Sequence, residues 1–131
     1  MKILIAEDDF TSRLLLQELL KSYGLFHIAV NGKEAVEAVS MALEAGEPYH
    51  LICLDVMMPE MDGQEALIEI RQLEEKKGIP GPARAKIIMT TALADKANVL
   101  KASEHQCDYY LIKPYDRLKL QQALYKLNLI K

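Results

Sequence analysis

Apolar runs alternate with amphipathic segments along the whole chain, five times over, and this alternation restricts the fold more than any other feature. The runs fall at residues 3–6, 27–30, 51–54, 86–90 and 109–112. They are short and nearly continuous, as strands buried on both faces are, and the intervening segments carry helical periodicity. Leu16, Leu19, Leu20 and Tyr23 recur at i, i+3, i+4 and i+7 in a first helix that Gly24 is expected to end. Asn31-Gly32 opens a second helix with Val36, Val39 and Leu43 on its inner face, reaching about residue 45 before Gly46 and Pro48. Ala66, Ile70 and Leu73 mark a third, followed by the charged stretch 74–85, the longest expected loop. Residues 95–104 form a weakly amphipathic fourth helix, and Asp116 caps a fifth with Leu120, Ala123, Leu124 and Leu127 inward. Such a chain makes βαβ units and, because parallel crossovers are right-handed, a doubly wound α/β sheet of order 2-1-3-4-5.

The length of 131 residues suits one domain spanning 1–131, with no output domain expected. A net charge of −3 opposes direct nucleic-acid binding, which needs a basic face to neutralise phosphates. Cys53 and Cys107 have neither a disulfide framework nor a metal-ligand spacing, so both are expected to be reduced. His27, His50 and His105 are scattered and read as surface residues. No apolar run approaches the roughly 20 residues of a membrane helix, so no membrane insertion and a cytoplasmic location are expected.

In the 2-1-3-4-5 order strands one and three are neighbours, and their carboxyl ends carry Glu7-Asp8-Asp9 and Asp55. A lone strand-end Asp is ordinarily a turn or cap residue. Convergence of these acids at the topological switch point, where open α/β sheets bind ligands, outweighs that reading for Asp55. Asp9, one place beyond the pair, reads as a loop or helix-start residue.

The order and spacing of several elements then resemble the receiver domain of two-component response regulators, of the stand-alone chemotaxis-regulator type. They are Glu7-Asp8 with Arg13, Asp55 before MMPEMDG, Thr91-Ala92, and Tyr110 three residues before Lys113-Pro114. The resemblance covers essentially the whole chain and implies a (βα)5 flavodoxin-like sandwich. It implies that Asp55 accepts a phosphoryl group from a sensor histidine kinase or phosphotransfer protein. Mg2+, with Mn2+ or Ca2+ able to substitute, would be held by Glu7, Asp8, Asp55 and the backbone carbonyl of Met57. Lys113, across a cis bond to Pro114, and the Thr91 hydroxyl would stabilise the phosphoryl oxygens, while Ala92 keeps the entrance open. Thr91 and Tyr110 would act as the switch, and a face of helix 4, strand 5 and helix 5 would meet a downstream protein. The domain would be a regulatory phosphoacceptor rather than an enzyme.

Physical chemistry supports the metal independently. Carboxylates about 4 Å apart repel by about 4 kcal/mol per pair at an effective dielectric of 20. A hard divalent cation with oxygen ligands reverses that sign. The Glu at position 7, where Asp is commoner in the family, has a longer arm. Met57 and Leu93, two residues beyond Asp55 and Thr91, cannot orient a hydrolytic water, so a long-lived phosphoaspartate is expected. Gln106-Cys107-Asp108 replaces the usual Gly-Ala pair before strand five. Pro59 and Gly63 shape the loop after Asp55, and Met57, Met58 and Met61 read as loop packing. Two rival readings are a non-phosphorylated interaction scaffold and a haloacid-dehalogenase-type phosphatase, which normally has a second acid where Met57 stands. A dinucleotide-binding unit falls because Glu7-Asp8-Asp9 replaces the glycine-rich turn and would repel a pyrophosphate.

Overall fold

The computed structural model describes residues 1–92 and 96–131. Among them β1 (Lys2–Ala6), β2 (Leu25–Ala29), β3 (Leu51–Asp55), β4 (Lys86–Thr91) and β5 (Tyr109–Ile112) form one parallel sheet. Its order is β2-β1-β3-β4-β5, as the alternation predicts. The connections carry α1 (Phe10–Leu20), α2 (Gly32–Glu44), α3 (Gly63–Lys76), α4 (Lys96–Glu104) and α5 (Arg117–Lys126).

Strand β3 is buried throughout because it lies between β1 and β4 and is covered on both faces. Ile52 and Leu54 pack into the core shared with α2 and α3, whereas Leu51 and Cys53 face the core of α1 and α5. Each such fully buried aliphatic side chain contributes about 1.5–3 kcal/mol. Among the described residues four helices begin with a side-chain cap: Asp9, Asn31, Asp62 and Asp116 accept from the backbone N–H of Ser12, Glu34, Glu65 and Lys119. Each cap contributes about 1 kcal/mol. The helices therefore start soon after the carboxyl ends of the strands, the edge that bears Asp55.

Several boundaries differ from the sequence reading. Helix α1 stops at Leu20 rather than at Gly24, which instead passes so close to the Met1 main chain that a Cβ would collide with its carbonyl oxygen. Strand β2 begins at Leu25 and leaves Val30 outside. In α2 the buried residues are Gly32, Ala35, Val39 and Ala42, with Val36 and Leu43 only flanking the core. Small side chains face inward there because α2 packs closely on α3. Helix α3 extends into the expected loop, and its Glu74 is buried. The expected start of the fourth helix at Asp95 lies outside the described residues. Among the described residues no helix is long and apolar enough to cross a membrane.

Candidate functional site

Strand ends assemble the site. Glu7 follows β1, and its backbone N–H donates to the carbonyl of Ala29, so the chain is still held against β2 where the acidic pair begins. Asp55 is the last residue of β3 and pairs in register with Thr90 of β4. Glu7 is fully buried, Asp55 is 5% exposed, and Asp8 stands in solvent. One carboxylate oxygen from each of the three lies within 4.8 Å of the others. This oxygen-only donor set fits Mg2+, a hard cation that commonly binds to carboxylates while retaining several waters.

Lys113 enters from the end of β5. Its ammonium donates to Glu7 Oε1 at 2.7 Å and lies 3.5 Å from Asp55 Oδ2. Its closer partner is therefore the carboxylate of β1, a pairing the sequence reading did not assign. The Glu7 hydrogen bond and the Asp55 and Glu7 charges overcome the effect of burial, which opposes its charge, and hold the Lys113 pKa above its ordinary value. The Lys113-Pro114 bond is cis, and the Lys113 N–H donates to the Thr91 carbonyl at 2.7 Å.

Asp55 is poorly satisfied by comparison. Besides the distant Lys113, its Oδ1 receives a 3.4 Å contact from the Met57 N–H. Burial and the neighbouring Glu7 carboxylate push its pKa up to about 7, against the smaller opposing pull of Lys113. A buried carboxylate with long contacts is a group prepared for a cation or a covalent partner.

The backbone around these acids is tied down. Arg13 Nη1 donates to the carbonyl of Glu7 at 3.0 Å and to that of Asp8 at 3.4 Å, which explains the spacing of Arg13 from the acidic pair. Asp9, read from the sequence as a loop or helix-start residue, caps α1. Gly63 opens α3 against the Asp55 main chain, where a Cβ would strike the Asp55 carbonyl oxygen.

Thr91 is buried at the end of β4, and Ala92 is exposed. Thr90 is also buried, and its hydroxyl has no partner among the described residues. Ala92, Lys113, Leu15 and Pro114 line a groove of about 390 Å3 beside the acids. On β5, Tyr109 packs against the α1–α5 core while Tyr110 is half-buried against the α2–α3 core. Met57 is 63% exposed, whereas Met58 packs into the core and Met61 flanks it. Leu93 lies outside the described residues. Sequence reasoning missed Tyr115, two residues after Lys113. Its side chain is buried with its hydroxyl unpaired among the described residues, and burial, with Cys53, Glu7 and Asp55 nearby, pushes the phenol up.

Residues 3–125 match the family model of the response regulator receiver domain. The chain is 32% identical over 125 residues to the osmosensing histidine protein kinase SLN1 of Saccharomyces cerevisiae, covering 94% of this chain and 10% of that kinase. It is 32% identical over 123 residues to the probable chemotaxis protein CheY of Rhizobium etli, covering 94% of this chain and 88% of that protein. Among solved structures it resembles the receiver domain of the sensor histidine kinase PA1611 from Pseudomonas aeruginosa PAO1. The TM-score is 0.78 at 26% identity, with 97% of each chain covered, and that structure has a magnesium ion coordinated in its active-site cleft. With a family match across nearly its whole length and an acidic cluster at the switch point, the chain belongs to the response regulator receiver domains, the phosphoacceptor domains of two-component signalling.

Proposed function

We propose that Asp55 is the phosphoacceptor and that Glu7, Asp8 and Asp55, with the Met57 backbone carbonyl, hold Mg2+. The observation that carries this reading is the meeting of three carboxylates within 4.8 Å, with Lys113 brought to them from a different strand. A carboxylate oxygen of Asp55 attacks the phosphorus of a phosphohistidine. The new P–O bond forms as the P–N bond breaks, and the imidazole keeps the electron pair and takes a proton from solvent. Such transfer needs alignment and charge stabilisation more than covalent machinery. Bound at the three acids, Mg2+ supplies positive charge against the phosphoryl oxygens. Lys113 supplies a second cation by moving its hydrogen bond from Glu7 toward the new phosphate. The groove beside Ala92 and Lys113 suits the approach of a donor imidazole, since Leu15 and Pro114 offer it apolar walls.

The Thr91 hydroxyl and Tyr110 are assigned to the switch. Phosphorylation need only favour one of two conformers, and about 2.7 kcal/mol of differential interaction shifts their ratio a hundredfold. Tyr110 sits on β5, one strand away from Thr91 in the same ladder. The α4–β5–α5 face is the proposed output surface. It exposes Leu100 and Tyr125, and from Lys113 onward the chain carries Lys113, Arg117, Lys119, Lys126 and Lys131 against the single acid Asp116. The kinase or phosphotransfer donor and the downstream protein are partners inferred from family membership.

Incubation with acetyl phosphate and Mg2+ tests the assignment. Intact mass should rise by about 80 Da, one phosphoryl group, in the native chain and not in Asp55→Asn. An adduct that persists in Asp55→Asn, or that never forms in the native chain, refutes it. Met57 is assigned to phosphate lifetime. Its exposed side chain cannot orient an attacking water, so Met57→Glu should hydrolyse the phosphoaspartate several-fold faster, measured by loss of label.

A further inference from the structure

The edge of the sheet opposite Asp55 carries a second feature with ligand chemistry. Tyr49 and His50 lead into β3, Arg84 precedes β4, and Lys86 opens β4 in register with Leu51. Between them and the Pro82 turn lies a groove of about 280 Å3, also lined by Leu129. Among the described residues no carboxylate lines it, although the chain as a whole is acidic.

Its donors lack acceptors. Arg84 is half-buried and uses Nε on the Ile79 carbonyl at 2.9 Å, and its terminal nitrogens have no acceptor among the described residues. The half-buried Lys86 ammonium has none either. His50 Nδ1 accepts from the Lys2 N–H at 2.9 Å, which places the ring proton on Nε2 as a further donor. Among the described residues Lys21, Arg71, Lys77 and Lys113 have a carboxylate partner, whereas Arg84 and Lys86, which share this groove, have none. On their other side these two residues border a recess with Asp108, but Asp108 Oδ2 is already engaged by Arg71 Nη2 and the Ile87 N–H. The walls are also fixed: the His50 N–H donates to the Lys2 carbonyl, and the Lys86 N–H donates to the His50 carbonyl.

We propose that this groove binds a small organic anion, its phosphoryl or carboxylate head held by Arg84, Lys86 and His50 and its apolar body against Tyr49, Pro82 and Leu129. Partly desolvated cations gain most from an anionic oxygen acceptor, because charge-assisted hydrogen bonds are strong where water is scarce. The site is independent of the phosphoacceptor: β3 separates the two edges by five residues, about 16 Å at the usual strand rise.

Titration of the metal-free protein with phenylphosphonate, which cannot phosphorylate Asp55, tests the groove by amide NMR at constant ionic strength. Saturable shifts are expected at His50, Arg84 and Lys86, with none at Asp55 or Lys113. The double variant R84M/K86M should weaken binding at least tenfold. The single variant K86M, which preserves the Arg84 bond to Ile79, should weaken it several-fold and guards against a folding defect. A parallel benzoate titration distinguishes the head group: tighter phenylphosphonate assigns a phosphoryl head, and tighter benzoate a carboxylate. Shifts no larger than those from sodium chloride, or binding undiminished in both variants, would overturn the proposal.

Discussion

Among the described residues a cluster of acids around a cation lies at each end of this sheet, each with a buried glutamate, and the two are resolved differently. At the amino ends of β4 and β5, Arg71 donates to Glu74 Oε1 at 2.6 Å, to the Ala85 and Gln106 carbonyls at 2.9 and 3.0 Å, and to Asp108 Oδ2 at 2.8 Å. The second oxygen of Glu74 accepts from the Ala85 N–H, and Asp108 also accepts from the Ile87 N–H. At the carboxyl ends, Lys113 satisfies Glu7 but lies 3.5 Å from Asp55, and the Met57 N–H approaches Asp55 Oδ1 to 3.4 Å. The first cluster is complete within the chain. On the proposed function, the second is completed from outside, by metal and phosphate. A planar guanidinium can serve two carboxylates and two carbonyls at once, whereas an ammonium acts as a compact point charge. The choice of cation thus separates a structural lock from a reactive site.

The comparison breaks most sharply if Arg71 is removed. Arg71→Met leaves Glu74 and Asp108 without their cation and should destabilise the domain by about 3–5 kcal/mol, read from denaturant unfolding. Lys113→Met, by contrast, should reduce Mg2+-dependent phosphorylation of the folded protein.

A smaller effect of opposite sign is expected at the reactive end. Asp55 has a folded-state pKa raised to about 7, so its contribution to stability is fully present below the ordinary carboxylate range. That contribution is lost as pH rises from about 4 through 7, where the native state must give up its proton. Asp55→Asn removes the charge and should stabilise the metal-free protein by about 1–2 kcal/mol at pH 8, a gain that fades on acidification. Unfolding curves at several pH values check this, and a variant less stable than the native chain at pH 8 would refute the strained-site account. The smallest effect belongs to Gln106, whose φ of 69° lies in the left-handed region. Gln106→Gly should raise stability by about 0.5–1 kcal/mol, because the main-chain carbonyl that Arg71 grips is retained.

The reactive end was legible in the sequence and the structural lock was not, for a physical reason. Strand-end residues such as Glu7, Asp55 and Lys113 inherit their positions from the sheet order, and that order follows from the βα alternation. Arg71, Glu74 and Asp108 are placed by the helix end and two turns, whose course no periodicity specifies. Glu74 therefore read as loop charge, although it is 2% exposed. The inner face of α2 was misread in part because Ala35 and Ala42 look neutral in a hydrophobic pattern, although their small size brings the helix in. The pairing of Lys113 with Glu7 depends on an atomic distance, and the longer Glu arm offered only a hint of it. Asp116 was readable as a cap because a cap is a local signal.

The two glycines that bracket the loop after Asp55 bear on how the site meets its metal. Gly32 donates to the Met61 carbonyl and Gly63 to the Val56 carbonyl, and both approach main chain too closely to admit any side chain. Ordering a backbone residue costs about 1–2 kcal/mol. Because these contacts already fix both ends of the segment carrying Met57, that entropy is spent during folding rather than at the arrival of the ion. Cation affinity can then follow the charge and number of the oxygens offered, and a bulkier residue at position 32 or 63 would weaken metal binding without touching a ligand.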